Sequence, residues 1–193
     1  MATDRPLGGI TALPPTPEGM TNVLLSIDPG LDGVGLAVIE PSRNSSIEGV
    51  IRALRECRKI STSPKTPLPE RLSALHEGVR EAARETGAGE IVVEWPRHEG
   101  QYGRHGKAQR AMVNRLYVGI GAVLAGARSS GLPVQLIKAS GDPKSTRQAL
   151  LKQAATQARI RLPETRGGNP REDEWDAIWI GFQYRSGLYT PAT

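Results

Sequence analysis

Four carboxylates stand where one fold could bring them together. Asp28 ends the apolar run Val23-Leu24-Leu25-Ser26-Ile27, and Glu94 ends Ile91-Val92-Val93. Asp173 and Asp176 lie three apart in Glu172-Asp173-Glu174-Trp175-Asp176. On a helix that spacing puts both on one face. Ionised carboxylates are hard oxygen ligands that suit Mg²⁺ or Mn²⁺. Two such cations about 4 Å apart can activate a water and stabilise the leaving oxygen of a phosphodiester. Without metal, each like-charge pair at ~4 Å costs roughly 4 kcal/mol at an effective dielectric of about 20, and bound cations reverse that sign. Asp28, fixed by a central strand, is the expected bridging ligand. Singly, Asp28 before Pro29-Gly30 reads as a turn residue, and Glu172, Asp173 and Glu174 as anions at the positive end of a helix. Glu94 directly follows three buried-type residues, where an unpaired charge is costly. The combination therefore says more than any member.

A basic group surrounds these acids. Arg97, His98, Arg104, His105, Lys107, Arg110 and Arg115 follow Glu94, and glycines stand at 100, 103 and 106. Such a loop lets backbone approach a phosphate. Trp95 and Tyr102 suit stacking on an unpaired base. Lys138, Lys144 and Arg147 form a second basic group. Lys144 and Arg147 fall early in a helix, where the dipole disfavours cations, and this favours a phosphate-facing role. The expected DNA contacts are thus Trp95, Arg97, Tyr102, Arg104, Lys107, Arg110, Lys138, Lys144 and Arg147. His76 and Cys57 read as structural.

Composition agrees. The 193 residues carry a net charge of +5, and a basic chain favours polyanionic partners. One cysteine permits no intrachain disulfide and no thiolate zinc cluster, so a reducing, cytoplasmic compartment is the simplest reading. No apolar run approaches the ~18 residues of a membrane span, and no secretory signal precedes the first strand.

The elements that must position the acids follow from periodicity. Residues 1–21, rich in Pro, Gly and Thr, read as a flexible leader, with Met20 an alternative start. Residues 22–187 read as one domain, and 188–193 as a C-terminal tail. Val23–Ile27 is a buried strand, Pro29–Gly33 a tight turn, and Val34–Ile39 the return strand of a hairpin. Ile47–Ile60 is ambiguous and is expected to hold a third strand. Pro69–Glu85 is an amphipathic helix through Leu72, Leu75, Val79, Ala82 and Ala83. Glu90–Val93 is a strand, Arg97–Lys107 a loop, Ala108–Ala127 a helix and Val134–Ile137 a strand. Asp142-Pro143 predicts an N-cap and first-turn proline for a helix through Leu150, Leu151, Ala154 and Ala158. Asn169-Pro170 repeats that signal before a last helix, Arg171 to about Tyr184. The result is an α/β chain, a mixed sheet of about five strands flanked by helices.

These residues resemble the RuvC family of Holliday junction resolvases, within the RNase H-like nucleases. The resemblance runs from about Asn22 to Tyr184. It is carried by Ile27-Asp28-Pro29-Gly30 with Gly33 and Gly35, by Leu68-Pro69-Glu70-Arg71-Leu72, and by Val92-Val93-Glu94. Gly131-Leu132-Pro133-Val134 leading to Lys138, then Lys144-Ser145, and Asp173-Glu174-Trp175-Asp176-Ala177 complete it. It implies an RNase H-like fold and a homodimer with two active sites. Each would hold divalent metal, two Mg²⁺ with Mn²⁺ as a substitute, through Asp28, Glu94, Asp173 and Asp176. It implies paired symmetric nicks across a four-way DNA junction, with Lys138 and Lys144 near the scissile phosphates. Small residues in Ala108–Ala127 fit a dimer interface and fit internal packing equally. The chain departs from the family at Glu94-Trp95-Pro96-Arg97, where relatives often place an aromatic a few positions later and the loop here is richer in glycine. A relaxed branched-DNA nuclease and a YqgF-like RNA-processing nuclease are the close alternatives. A non-catalytic binding module would usually lose acids that this chain keeps. An actin-like ATPase would need a second phosphate loop and a larger second domain.

Overall fold

Strand β1 (Leu24–Asp28) lies at the middle of a five-stranded sheet of order β3-β2-β1-β4-β5. The computed structural model describes residues 23–96, 107–160 and 172–192, with backbone alone for 107–113. β1 pairs antiparallel with β2 (Gly33–Ile39), which pairs antiparallel with β3 (Leu54–Ser61). On its other side β1 runs parallel to β4 (Glu90–Trp95), which runs parallel to β5 (Val134–Lys138). The leader, the Arg97–Gly106 loop and Asn169-Pro170 lie outside the described residues.

Alternation along the strands assigns the two faces of the sheet. Leu25, Ile27, Leu36, Val38, Ile91 and Val93 pack on one face. They meet Leu75, Val79 and Ala82 of α2 (Leu68–Glu85) and Val123 and Ala127 of α3 (Lys107–Ser129). Leu24, Ile39, Val92 and Ile137 pack on the other face, against Ile180 of α5 (Glu172–Ser186). There α5 crosses β1 and β2, with α4 (Lys144–Ala158) packed beside it through Leu151, Ala154 and Ala155.

Two features depart from the sequence reading. The ambiguous segment holds the expected third strand, β3, but opens with a short helix α1 (Ile47–Ala53) that the reading lacked. Ser46 caps that helix by accepting from the Gly49 N–H at 3.1 Å, and Glu48 holds Arg52 one turn on at 2.7 Å. The apolar spacing is irregular because its first half packs as a helix and its second as a strand. The expected Asp142 cap of α4 does not form. Asp142 instead accepts from the Ser140 hydroxyl at 2.7 Å, and Pro143 takes the cap position without a side-chain bond. The C-terminal tail is docked. Lys138 N–H donates to Thr190 C=O at 2.8 Å, Ala192 N–H donates to Leu136 C=O at 3.0 Å, and Tyr189 packs on Tyr184.

Candidate active site

Ile27 pairs with Val93, and β1 and β4 run parallel. Asp28 and Glu94 are therefore the next residues of two adjacent strands, about 4.8 Å apart in the pairing direction. Both alternate to the face that carries α5, as Ser26 and Val92 do two residues earlier. The site thus sits at the C-terminal ends of parallel strands, where open α/β sheets place their ligands. The same row continues through Gly35 of β2, opposite Asp28, to Lys59 of β3, opposite Gly35.

Helix α5 delivers the other two acids. The Ser26 hydroxyl donates to the Ala177 carbonyl at 2.7 Å, fixing the helix over β1. At its far end Tyr184 Oη donates to Glu90 at 3.0 Å, and Arg185 pairs with the same carboxylate at 3.2 Å. At its near end the Asp173 backbone rests on Gly35, and any Cβ there would overlap the Asp173 carbonyl. Asp173 and Asp176 thereby reach the ends of β1 and β4.

Asp28 feels all three partners. Burial raises its pKa well above the ordinary 3.8, and the charges of Glu94, Asp176 and Asp173 raise it further, with Lys144 opposing. Burial also raises Glu94, against Arg147 and a backbone bond from Ser140. Three cations answer this charge. Lys59 Nζ pairs with Asp173 Oδ2. Lys144 Nζ lies 2.9 Å from Asp176 and 3.1 Å from Glu172. Partial burial works against the Lys144 ammonium, but these two bonds raise its pKa overall. Arg147 reaches Asp176 at 3.3 Å and Glu94 at 4.0 Å.

Hard oxygen donors and unpaired lone pairs suit a divalent cation. Glu94 Oε1 and Asp176 Oδ1 are buried without a hydrogen-bond partner, a costly state for carboxylate oxygens unless something positive approaches. The Arg147 contacts are charge contacts and not hydrogen bonds, since its Nε and Nη1 are also unmatched. Among the described residues no group of three or more acids, histidines or cysteines lies close enough to share one ion in this arrangement. The fit is in donor type and unmet charge, with lysines holding the Asp173 and Asp176 arms.

The expected DNA contacts fare differently. Arg147 is 6 % exposed and lies inside the acidic group, where its charge faces Asp176 and Glu94. Lys144 is half-exposed and turned to the acids. Trp95 and Lys138 are register partners that alternate away from Glu94, and the Trp95 ring lies 5.7 Å from Tyr117 of α3. Arg97, Tyr102 and Arg104 lie outside the described residues, as do the side chains of Lys107 and Arg110. Cys57 is partly buried, and burial pushes its thiol up to about 12, which suits the structural role expected of it.

Two site residues escape the sequence reading. One is Lys59. The other is Arg71, 8 % exposed. Its guanidinium donates to the Leu31 carbonyl and to Thr62 Oγ1, each at 3.1 Å, and pairs with Asp32. It pins the turn that follows Asp28. Arg71 stands in the Leu-Pro-Glu-Arg-Leu motif, and a lone cation near an aliphatic stripe was the available signal.

A five-stranded sheet of order β3-β2-β1-β4-β5, with β2 antiparallel to its neighbours and helices on both faces, has the RNase H-like architecture. Among solved structures the chain is similar to Thermus thermophilus RuvC in complex with a Holliday junction substrate, with TM-score 0.62 and 23% identity over 88% of this chain and 99% of that one. A second Thermus thermophilus RuvC structure matches with TM-score 0.55 and 23% identity, over the same shares. The yeast mitochondrial Holliday junction resolvase Ydc2 matches with TM-score 0.51 and 13% identity, over 88% of this chain and 82% of that one. No protein-family model and no curated protein sequence matches the chain.

Proposed function

We propose that this chain is a divalent-metal-dependent endonuclease that resolves four-way DNA junctions by paired symmetric nicks. One observation carries the reading: Asp28 and Glu94 end neighbouring parallel strands on the face where α5 brings Asp173 and Asp176. A fold alone does not assign chemistry. Here the residues that would do it stand together with unmet negative charge.

The pocket of Asp28, Glu94, Asp173 and Asp176 would take the metal, Mg²⁺ with Mn²⁺ as a substitute, with Asp28 and Glu94 the acids left open to it. When bound it supplies a polarised water and a counter-charge at phosphorus. The chain's own residues do the rest. Burial of Asp28 and Glu94 keeps bulk water from the carboxylates. Arg147 and Lys144 hold Asp176 in place. Half-exposed Lys144 lies where it can also meet a phosphate. Lys107, Arg110, Arg97 and Arg104 would follow the backbone of the DNA arms, with Tyr102 stacking at the branch.

Paired nicks need two sites, so we assign a homodimer. Val118 of α3 is 42% exposed beside Leu72 and Ala122, on the face of the molecule away from α5. Among the described residues no helix is long and apolar enough to cross a membrane. A reducing cytoplasm remains the proposed location.

Cleavage mapping on a labelled four-way DNA junction tests the reading, beside a matched linear duplex and a four-way RNA, with and without Mg²⁺. Symmetric Mg²⁺-dependent nicks on the DNA junction alone are expected. Equal cutting of linear duplex would replace the reading with a relaxed nuclease, and preference for the RNA with an RNA-processing enzyme.

A further inference from the structure

The three cations on the four acids are unequally placed. Lys144 is 54% exposed and shared between Asp176 and Glu172, so it can swing away. Arg147 serves Asp176 at 3.3 Å and only brushes Glu94 at 4.0 Å. Lys59 is committed. Its side chain and that of Asp173 are 22% and 28% exposed. Gly33 leaves the slot through which the lysine crosses from β3 towards α5: a Cβ on Gly33 would meet Lys59 Nζ at 2.7 Å and Asp173 Oδ2 at 3.3 Å. Gly35, two residues further on the same face of β2, seats the Asp173 backbone. Both ends of the pair are therefore built into the hairpin. Glu94 Oε1 and Asp176 Oδ1 both lack a hydrogen-bond partner, but Asp176 has Lys144 and Arg147 beside it, whereas among the described residues no lysine or arginine forms an ion pair with Asp28 and Glu94 has only Arg147 at 4.0 Å. Unmet negative charge is concentrated on the Asp28–Glu94 side.

We propose that Lys59 is a resident counter-charge for Asp173, taking the place of a second metal, so that the site loads one divalent cation through Asp28 and Glu94. With Glu172, which shares Lys144, the carboxylates number five; one dication beside the three resident cations balances them, and a second would exceed them and repel the first at the separation of a two-metal site. A lysine ammonium is a compact point charge that can occupy such a position. Lys59 thereby acts as a positioning residue, holding Asp173 in one rotamer beside the cation that its neighbours bind. The inference rests on the metal-dependent reading only in requiring that a divalent cation binds here.

The test is a Mn²⁺ titration of the full chain, counting bound metal by the paramagnetic resonance of free Mn²⁺, beside thermal melts without metal. Wild type and Lys59→Arg are expected to bind one Mn²⁺ per chain. Lys59→Met keeps the aliphatic arm under Gly33 and removes the charge. It is expected to bind two and to melt about 2–4 °C lower without metal. Two Mn²⁺ per wild-type chain would overturn the proposal, as would Lys59→Met with unchanged count and melting temperature. If Lys59→Met does not fold, the wild-type and Lys59→Arg counts decide. One bound Mn²⁺ without cleavage of any junction would sink the nuclease reading and leave Lys59 in its role.

Discussion

Gly35 and Asp173 touch through backbone: the carbonyl of Asp173 occupies the space that a side chain at position 35 would need. β2 and α5 are thus in contact where the last acidic pair enters the site. Gly35→Ala should push the first turn of α5 off the sheet. Overpacking of this kind costs about 1–3 kcal/mol. Urea unfolding should show that loss, and nicking should fall far more than stability, because Asp173 moves away from Asp28. A Gly35→Ala protein with wild-type cleavage would place Asp173 outside the mechanism.

Asp28→Asn should raise the melting temperature of metal-free protein while abolishing nicking and sparing junction binding. Burial and three neighbouring acids lift the pKa of Asp28 above 3.8 in the folded chain. The folded state then binds a proton more readily than the unfolded state, so stability is greatest at low pH. It is lost as pH rises from about 4 through the folded-state value. The mutant lacks that loss, and the gap between the two proteins should widen with pH. Mg²⁺ should stabilise wild type and not the mutant. Melts from pH 4 to 8, with and without Mg²⁺, check both signs.

Arg147→Gln and the double change Lys107→Gln with Arg110→Gln should separate an internal charge from a DNA contact. The double variant should bind junctions more weakly, with the salt slope reduced by about 1 for each phosphate no longer neutralised. Arg147→Gln should leave that slope unchanged and lower cleavage about 10–100-fold, as loss of a residue that orients ligands does. Binding isotherms at several salt concentrations distinguish them. A flattened slope in Arg147→Gln would return Arg147 to the DNA surface.

Arg71→Met should destabilise the fold by about 1–3 kcal/mol, because the Leu31 carbonyl and Thr62 lose a buried donor. The hairpin turn after Asp28 then loosens. Hydrogen exchange should quicken at the Thr62 N–H, which donates to the Asp32 carbonyl at 3.2 Å. Unchanged protection there would mean that the turn holds itself.

The acids were legible because each follows or opens a strongly patterned segment. Asp28 and Glu94 close runs too apolar to be anything but buried strands, and the Asp173–Asp176 spacing is helical. Their partners were not legible. Nothing in Arg58-Lys59-Ile60 marks Lys59, whose role exists only once β3 is placed beside β2 and α5 above both. Arg147 was singled out as a cation early in a helix, and the fold gives that cation internal partners. A cation early in a helix does need a compensating anion, but Asp176 and Glu94 supply it from within the fold. The short helix α1 escaped because seven residues give too few turns for periodicity to register.

β3 is an outer strand of the sheet, and its order Leu-Arg-Glu-Cys-Arg-Lys-Ile-Ser places four charges in eight residues. Such an edge resists adding a foreign strand, because a neighbour would have to desolvate guanidinium groups to pair with it. Lys59 is turned inward to Asp173, so the fringe is Arg55, Glu56 and Arg58. Discharging the fringe should therefore leave a protein that clumps on storage, a solubility defect separate from any change in its chemistry.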